Sequence, residues 1–245
     1  MKICRIADFD IGFDGSMRFL QTLDYFWASD SETHNFSFEI PLRLDKSKKM
    51  PNIIKKRLFV QRKIAEKLPL YNAVVFHAAS FDVDGEGVAF CASSGTGKTT
   101  QMLNWKSVLG NRMSYVNGDK PVIRFFDKDF CEEKNLDFPD GTIEGVPYAY
   151  GTPWRGKEDF GSNGRTPLKH ICFIERSDKN FVTKIDKADA VERIMKQVYI
   201  PKDPEALHKT LELVNRLINS CNLWIIHCNM EPESAEIAYE TIIGE

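Results

Sequence analysis

Val88-Ala89-Phe90-Cys91-Ala92-Ser93-Ser94-Gly95-Thr96-Gly97-Lys98-Thr99-Thr100 is the stretch on which the fold turns. It opens as an apolar run of strand length and closes on a helix-compatible segment, residues 99–107. Between the two, residues 92–99 follow the phosphate-loop pattern G-x-x-x-x-G-K-[ST], with Ala92 at the first glycine position. Each part has its own electrostatic task. Gly95 and Gly97 let consecutive backbone N–H groups turn toward one anion, and the start of the helix adds a favourable dipole. The Lys98 ammonium reaches outer phosphates, and the Thr99 hydroxyl ligates a magnesium ion. The expected ligand is ATP with Mg2+, held by Ser94, Gly95, Thr96, Gly97, Lys98, Thr99 and Thr100.

The flanks read as strands. Residues 73–83 alternate as a strand and Asp84-Gly85-Glu86-Gly87 reverses the chain into the loop's own strand. Downstream, residues 114–126 carry a strand and hairpin signal in which Asn117 and Gly118 mark a turn or an exposed strand end. Residues 137–166, crowded with Gly and Pro but also with aromatics and cations, read as a functional loop region with short strands. A buried strand at 168–176 follows, then helices at 187–198 and 203–220, the second with Leu207, Leu211, Val214 and Leu217 on one face. A strand at 222–229 and a helix at 233–243 end the chain. Before the loop, β-like runs at 2–7 and 35–44 flank a helix at 16–27, and residues 45–49 form a basic connection. Residues 53–67 read as an amphipathic helix with Ile54, Leu58, Ile64 and Leu68 near one side, stopped by Pro69.

Charge and cysteine usage exclude whole classes of function. Against 35 acidic residues stand 33 basic ones, a net charge of -2, so no surplus exists to hold a nucleic-acid backbone or an anionic membrane. Neither partner is expected, and phosphate binding has to be local. Cys4, Cys91, Cys131, Cys172, Cys221 and Cys228 are scattered without metal-ligand spacing and read as reduced thiols. The charged first ten residues do not resemble a signal peptide, and no window approaches the roughly 18 apolar residues of a membrane span. A cytoplasmic location is the expectation.

Ser94 to Thr100, SGTGKTT, resembles the nucleotide loop of ATP-dependent phosphoenolpyruvate carboxykinase. The larger arrangement resembles the HPr kinase/phosphorylase family: His77 in a strand, a glycine turn, the loop, then Asp119 about twenty residues beyond Lys98. The resemblance runs from about Asn72 to Arg124 and continues more weakly through residues 151–163. It implies an α/β fold of mixed type, the loop set in a mixed, largely antiparallel sheet with flanking helices. It also implies Mg-dependent transfer of a phosphoryl group from ATP to a hydroxyl, often a serine's, on a small molecule, peptide or protein. Members of the group often form oligomers, which leaves a homo-oligomer open. On this reading residues 1–70 are an N-terminal subdomain and residues 71–245 a nucleotide-binding, kinase-like domain. The family usually shows two adjacent acidic residues after the loop; here the place reads Asn117-Gly118-Asp119-Lys120, with one carboxylate.

Asp119 is expected to accept the substrate hydroxyl's proton or to hold the metal together with Thr99. A solvent-facing turn aspartate is the plainer alternative. His77 is expected to assist proton transfer or orient that carboxylate, the alternative being a structural histidine, as His170 and His227 are read. Arg155 is expected to meet the charge on the transferred group, with Lys157 and Arg165 as lesser candidates. Glu175 and Arg176 read as a surface pair. The catalytic set is therefore Lys98, Asp119, His77 and Arg155. The rival functions are a regulatory module that holds ATP without transferring phosphate and a carboxykinase, for which the chain is short.

Overall fold

The computed structural model describes residues 2–14, 33–41, 51–93 and 95–244. The expected helix at 16–27, the basic stretch at 45–49 and Ser94 lie outside the described residues.

A small sheet forms first in the chain: β1 (Lys2–Ile6) pairs antiparallel with β2 (Phe9–Asp14), which pairs parallel with β3 (Phe36–Glu39). Helix α1 (Asn52–Lys67) then runs into a short 3-10 turn, Leu68–Tyr71, which carries Pro69. Strands β4 (Ala73–Val75), β5 (Ala79–Val83) and β6 (Glu86–Cys91) follow, the last two a hairpin closed by Asp84 and Gly85 as the sequence indicates. Next come α2 (Lys98–Leu109), β7 (Met113–Asn117), β8 (Val122–Phe125), α3 (Lys128–Glu133) and β9 (Pro147–Tyr150). The chain ends with β10 (Arg165–Arg176), β11 (Phe181–Lys184), α4 (Lys187–Met195), α5 (Pro204–Ser220), β12 (Asn222–Cys228) and α6 (Glu233–Ile242).

The large sheet has nine strands in the order β4-β8-β9-β10-β6-β5-β7, with β12 on β10 and β11 beyond it. Its spine is β10, whose first residues pair antiparallel with β9 and whose remainder pairs parallel with β6 and β12. The other pairings are antiparallel. The fold is thus α/β, with a mixed and mostly antiparallel sheet flanked by helices.

The unbroken apolar run of β6 has a simple cause: both faces of the strand are covered. Phe90 points into a cluster with Phe81, Trp105 of α2 and Ala238 of α6. Its neighbours Ala89 and Cys91 point the opposite way, toward Ile194 of α4 and Leu213 and Leu217 of α5. A third cluster joins the small sheet and α1 to Val75, Val122, Phe126 and Tyr150, so apolar packing crosses residue 70 without a break. Inside it the buried Arg124 guanidinium lies between the rings of Phe9 and Phe126 and donates to the Ala7 carbonyl at 2.8 Å. All six cysteines are free and buried, and burial pushes the Cys4 thiol up to about 12.

Three expectations change. The buried face of α1 is set by Lys56, Val60, Ile64 and Ala65, while Ile54 and Leu58 are 42% and 50% exposed. These two sit at the margin of the apolar arc, and the partner surface selects its other side. Leu211 of α5 is likewise exposed, since Thr210, Leu213 and Val214 take the packing positions. Third, β7 and β8 do not form a hairpin. β7 pairs with β5 at one end of the sheet order and β8 pairs with β4 and β9 near the other. The segment between them is held by side-chain hydrogen bonds instead of by a strand turn, and it carries Asp119.

Candidate functional site

The loop sits where β6 ends and α2 begins. Gly95 and Gly97 have φ of 79° and 127°, a region in which only glycine is at ease, which is why the pattern needs them at these two positions. Thr96 N–H donates to Ser93 O at 3.2 Å and closes the turn. No side chain among the described residues caps α2, so the first-turn N–H groups of Lys98, Thr99 and Thr100 face out of the helix end. Lys98 folds back on the loop and donates to Ala92 O at 2.6 Å. Burial lowers the pKa of its ammonium, with Asp119 opposing.

Arg176, at the end of β10, donates through Nη2 to Gly95 O and through Nε to Thr96 O at 3.2 Å. It is therefore a tether for the loop. Glu175 pairs with Arg193 at 2.7 Å, so the expected Glu175–Arg176 surface pair does not form. Adjacent strand residues point to opposite faces, which separates the two side chains.

The segment 117–121 runs beside this loop. Asn117 is fully buried and uses all of its amide: Nδ2 donates to Thr152 O at 3.1 Å and Thr152 Oγ1 at 2.9 Å, while Oδ1 accepts from the backbone N–H of Asp119 at 3.0 Å and of Lys120 at 2.7 Å. The following Gly118 is there for room, because a Cβ would stand 2.5 Å from Arg155 O. Ala78 N–H donates to Asp119 O at 3.1 Å and Phe76 N–H to Pro121 O at 2.9 Å, which lays residues 76–78 along this segment. That pairing brings His77 Nε2 to 3.3 Å from Asp119 Oδ1; Lys120 Nζ lies 3.5 Å from the same oxygen. Burial pushes the Asp119 carboxyl up, but the His77 hydrogen bond and the Lys120 charge outweigh it and hold the group below the usual carboxylate range. Asp119 is ionised at neutral pH. Lys120 has its pKa lowered by burial and, further, by the charge of Lys98. Three charged groups and an imidazole therefore meet at the mouth of the loop.

Residues 151–164 close over them. Gly118 N–H donates to Phe160 O at 2.8 Å and Lys120 N–H to Trp154 O at 3.1 Å. The Arg155 side chain runs across Gly161, 3.0 Å from the point a Cβ there would occupy, and Gly156 lies against Asp119. Lys157 is exposed on this segment. Arg165 is not part of the cluster: it donates to Tyr150 OH at 3.1 Å and Asp140 O at 3.2 Å, at the other end of β10. His170 is taken by Glu86 at 3.2 Å and the Trp224 indole N–H at 3.3 Å, and His227 stacks on Phe181 at 4.2 Å.

No family model matches the chain, and no curated protein does. Among solved structures it is similar to that of the Hpr(Ser) kinase/phosphatase from Coxiella burnetii, at 11% identity over 59% of this chain and 88% of that one, with a TM-score of 0.28. At that score the likeness carries no argument. The residues of the cluster have to speak for themselves.

Clefts of about 510 Å³ and 720 Å³ border the loop; Thr96 lines both, Arg176 and Met230 the first, and Ala92, Lys196 and Gln197 the second. A third, of about 640 Å³, opens on the side of His77 and Lys120. No helix among the described residues is long and apolar enough to cross a membrane. Nor do the described residues gather three His, Cys, Asp or Glu groups that could hold a metal by themselves. One carboxylate with a threonine hydroxyl is the donor set expected of magnesium shared with a nucleotide's phosphates, since that ion keeps waters and takes few protein ligands. The residues present fit such a pair of ligands. Arg176, Asn117 and Lys120 were not singled out for the site by sequence reasoning. Only the buried-polar character of Asn117 in an apolar strand could have flagged one of them.

Proposed function

We propose that the protein is a magnesium- and ATP-dependent phosphotransferase acting on a hydroxyl. The observation that carries this reading is the convergence of a glycine loop, an uncapped helix start and Lys98 on an ionised carboxylate that is hydrogen-bonded to an imidazole. MgATP, when bound, supplies the transferable phosphoryl group and the metal charge that offsets its oxygens. The loop N–H groups of residues 95–99 and the Lys98 ammonium, released from Ala92 O, hold the phosphates. Thr99 and Asp119 would hold the magnesium, whose charge would offset that of the phosphate oxygens. The acceptor's oxygen bonds to the γ-phosphorus as the bond from that atom to the β–γ bridging oxygen breaks, ADP leaves with the electron pair, and the hydroxyl proton passes to Asp119 or His77. Arg155 steadies the equatorial oxygens. The resemblance of the motif implies a serine-type hydroxyl as the acceptor.

A nucleotide-holding module without transfer is the second reading, favoured by one fact: the segment from Asn117 to Lys120 carries one carboxylate where the resembled family carries two adjacent ones. Lys98→Ala separates these readings from a loop that binds nothing. The variant should keep the wild-type circular dichroism, lose most of its calorimetric affinity for MgATP and lose all transfer of label from γ-labelled ATP. Unchanged binding and turnover would overturn the assignment of the loop, and tight binding by the wild type without any labelled acceptor would select the second reading.

A further inference from the structure

The 640 Å³ cleft is separate from the two that border the loop, yet it reaches the same chemistry. It lies between α1 and residues 196–199, and both His77 and Lys120 line it. Gln197 and Lys196 line this cleft and also the 720 Å³ one beside the loop, so the two meet there. The Gln197 Oε1 at the junction is buried and has no hydrogen-bond partner among the described residues, while its backbone carbonyl accepts from His77 N–H at 2.7 Å. An acceptor hydroxyl that is to meet Asp119 and His77 has to approach from a space these residues border.

The walls state what such an acceptor is like. Of the 13 lining residues four are cations, Lys55, Arg62, Lys120 and Lys196, and none is a carboxylate. The acids nearby are engaged: Glu192 with Lys196 at 2.6 Å, Glu66 with Lys63 at 3.1 Å and Tyr199 OH at 3.3 Å, and Asp119 with His77 at 3.3 Å and Lys120 at 3.5 Å, so Lys196 and Lys120 are balanced and the Arg62 guanidinium of α1 carries the charge a ligand would meet. Beside the polar Gln61, His77 and Gln197, the rest of the wall is apolar, with Leu58, Phe59, Val75, Val198 and the ring of Tyr199. The volume is that of a small-molecule pocket. Leu58, which the packing of α1 leaves exposed, falls on this cleft.

We infer that this cleft is the acceptor subsite and that it takes a small hydroxyl compound with an apolar body and an anionic group, the Arg62 guanidinium of α1 holding the anion while Gln197 accepts a hydrogen bond from the ligand. This rests on the phosphotransfer reading above; it commits to a small molecule, so a folded protein's serine is an outcome against it.

Two measurements test it. The first is calorimetric titration of the nucleotide-free protein with β-hydroxybutyrate, β-hydroxyoctanoate and β-hydroxydodecanoate, each beside its uncharged methyl ester. One of the acids should bind, with its ester at least about tenfold weaker. Leu58→Asp, which puts a carboxylate on an exposed wall position, should weaken the acid by a similar factor, and Leu58→Asn should leave it within about threefold. The second is label transfer from γ-labelled ATP to the same acids. Binding of no acid, equal binding of acid and ester, or indifference to Leu58→Asp overturns the inference. So does a wild-type enzyme that labels only a protein and is untouched by Leu58→Asp, which leaves phosphotransfer standing. Charge-dependent acid binding together with intact MgATP binding but no labelled product does the reverse: it supports the cleft and refutes the transfer.

Discussion

Replacing Asn117 by alanine removes four hydrogen bonds from a side chain with no solvent exposure. Two of the partners keep a substitute, since Lys120 N–H still has Trp154 O at 3.1 Å and Thr152 Oγ1 still has Lys120 O at 2.7 Å. The Asp119 N–H and the Thr152 carbonyl are left without theirs. Stranding a buried donor or acceptor costs about 1–3 kcal/mol each, so the variant should lose about 2–6 kcal/mol. For a chain of this length that lowers the melting temperature by about 4–24 °C. Asn117→Asp is the sharper probe. It keeps both acceptor bonds but turns a donor into an oxygen facing Thr152 O. It also places a second carboxylate two residues before Asp119. Were the position a lost acid, the aspartate would raise transfer; as a clamp that aims Asp119, it should lower both stability and turnover. Differential scanning calorimetry alongside label transfer decides the matter. A melting point within about 2 °C of wild type for Asn117→Ala, or a gain of activity in Asn117→Asp, would refute the reasoning.

Gly118→Ala drives a methyl to 2.5 Å from Arg155 O, so residues 154–160 must move off Asp119; a loss of about 1–3 kcal/mol in denaturant unfolding with a steeper loss of turnover is expected, and a neutral variant would contradict the close approach. Arg176→Ala frees the Gly95 and Thr96 carbonyls and leaves the loop less ordered before it binds; calorimetry should show MgATP affinity falling about tenfold with the melting point nearly unchanged, and equal affinity would show that the tether does not matter. His170 has its pKa lowered by burial, with Glu86 opposing. Its contribution is therefore present above the unfolded value of about 6.5 and is lost as pH falls below that toward the folded value. Melting temperature plotted against pH should drop across that window in the wild type and less steeply in His170→Gln; parallel curves would remove His170 as the cause.

The loop was legible in residues 88–100 because its geometry is local: a buried strand, two glycines that reach positive φ, a lysine and a helix start follow one another along the chain. The same holds for the hairpin at Asp84–Gly85 and for most helices, whose periodicity is written in neighbouring residues. Partner choice is not local. Nothing between Asn117 and Pro121 says that β7 and β8 part to different regions of the sheet, or that residues 76–78 come back to set His77 on Asp119. Nor does the sequence around Arg176 show which carbonyls its guanidinium meets, or the sequence of α1 which side of its apolar arc is buried and which is left facing a cleft. Backbone geometry is set by adjacent residues. The meeting of a carboxylate, an imidazole and two lysines is set by which surfaces bury one another, and that is decided only when the sheet closes around its core.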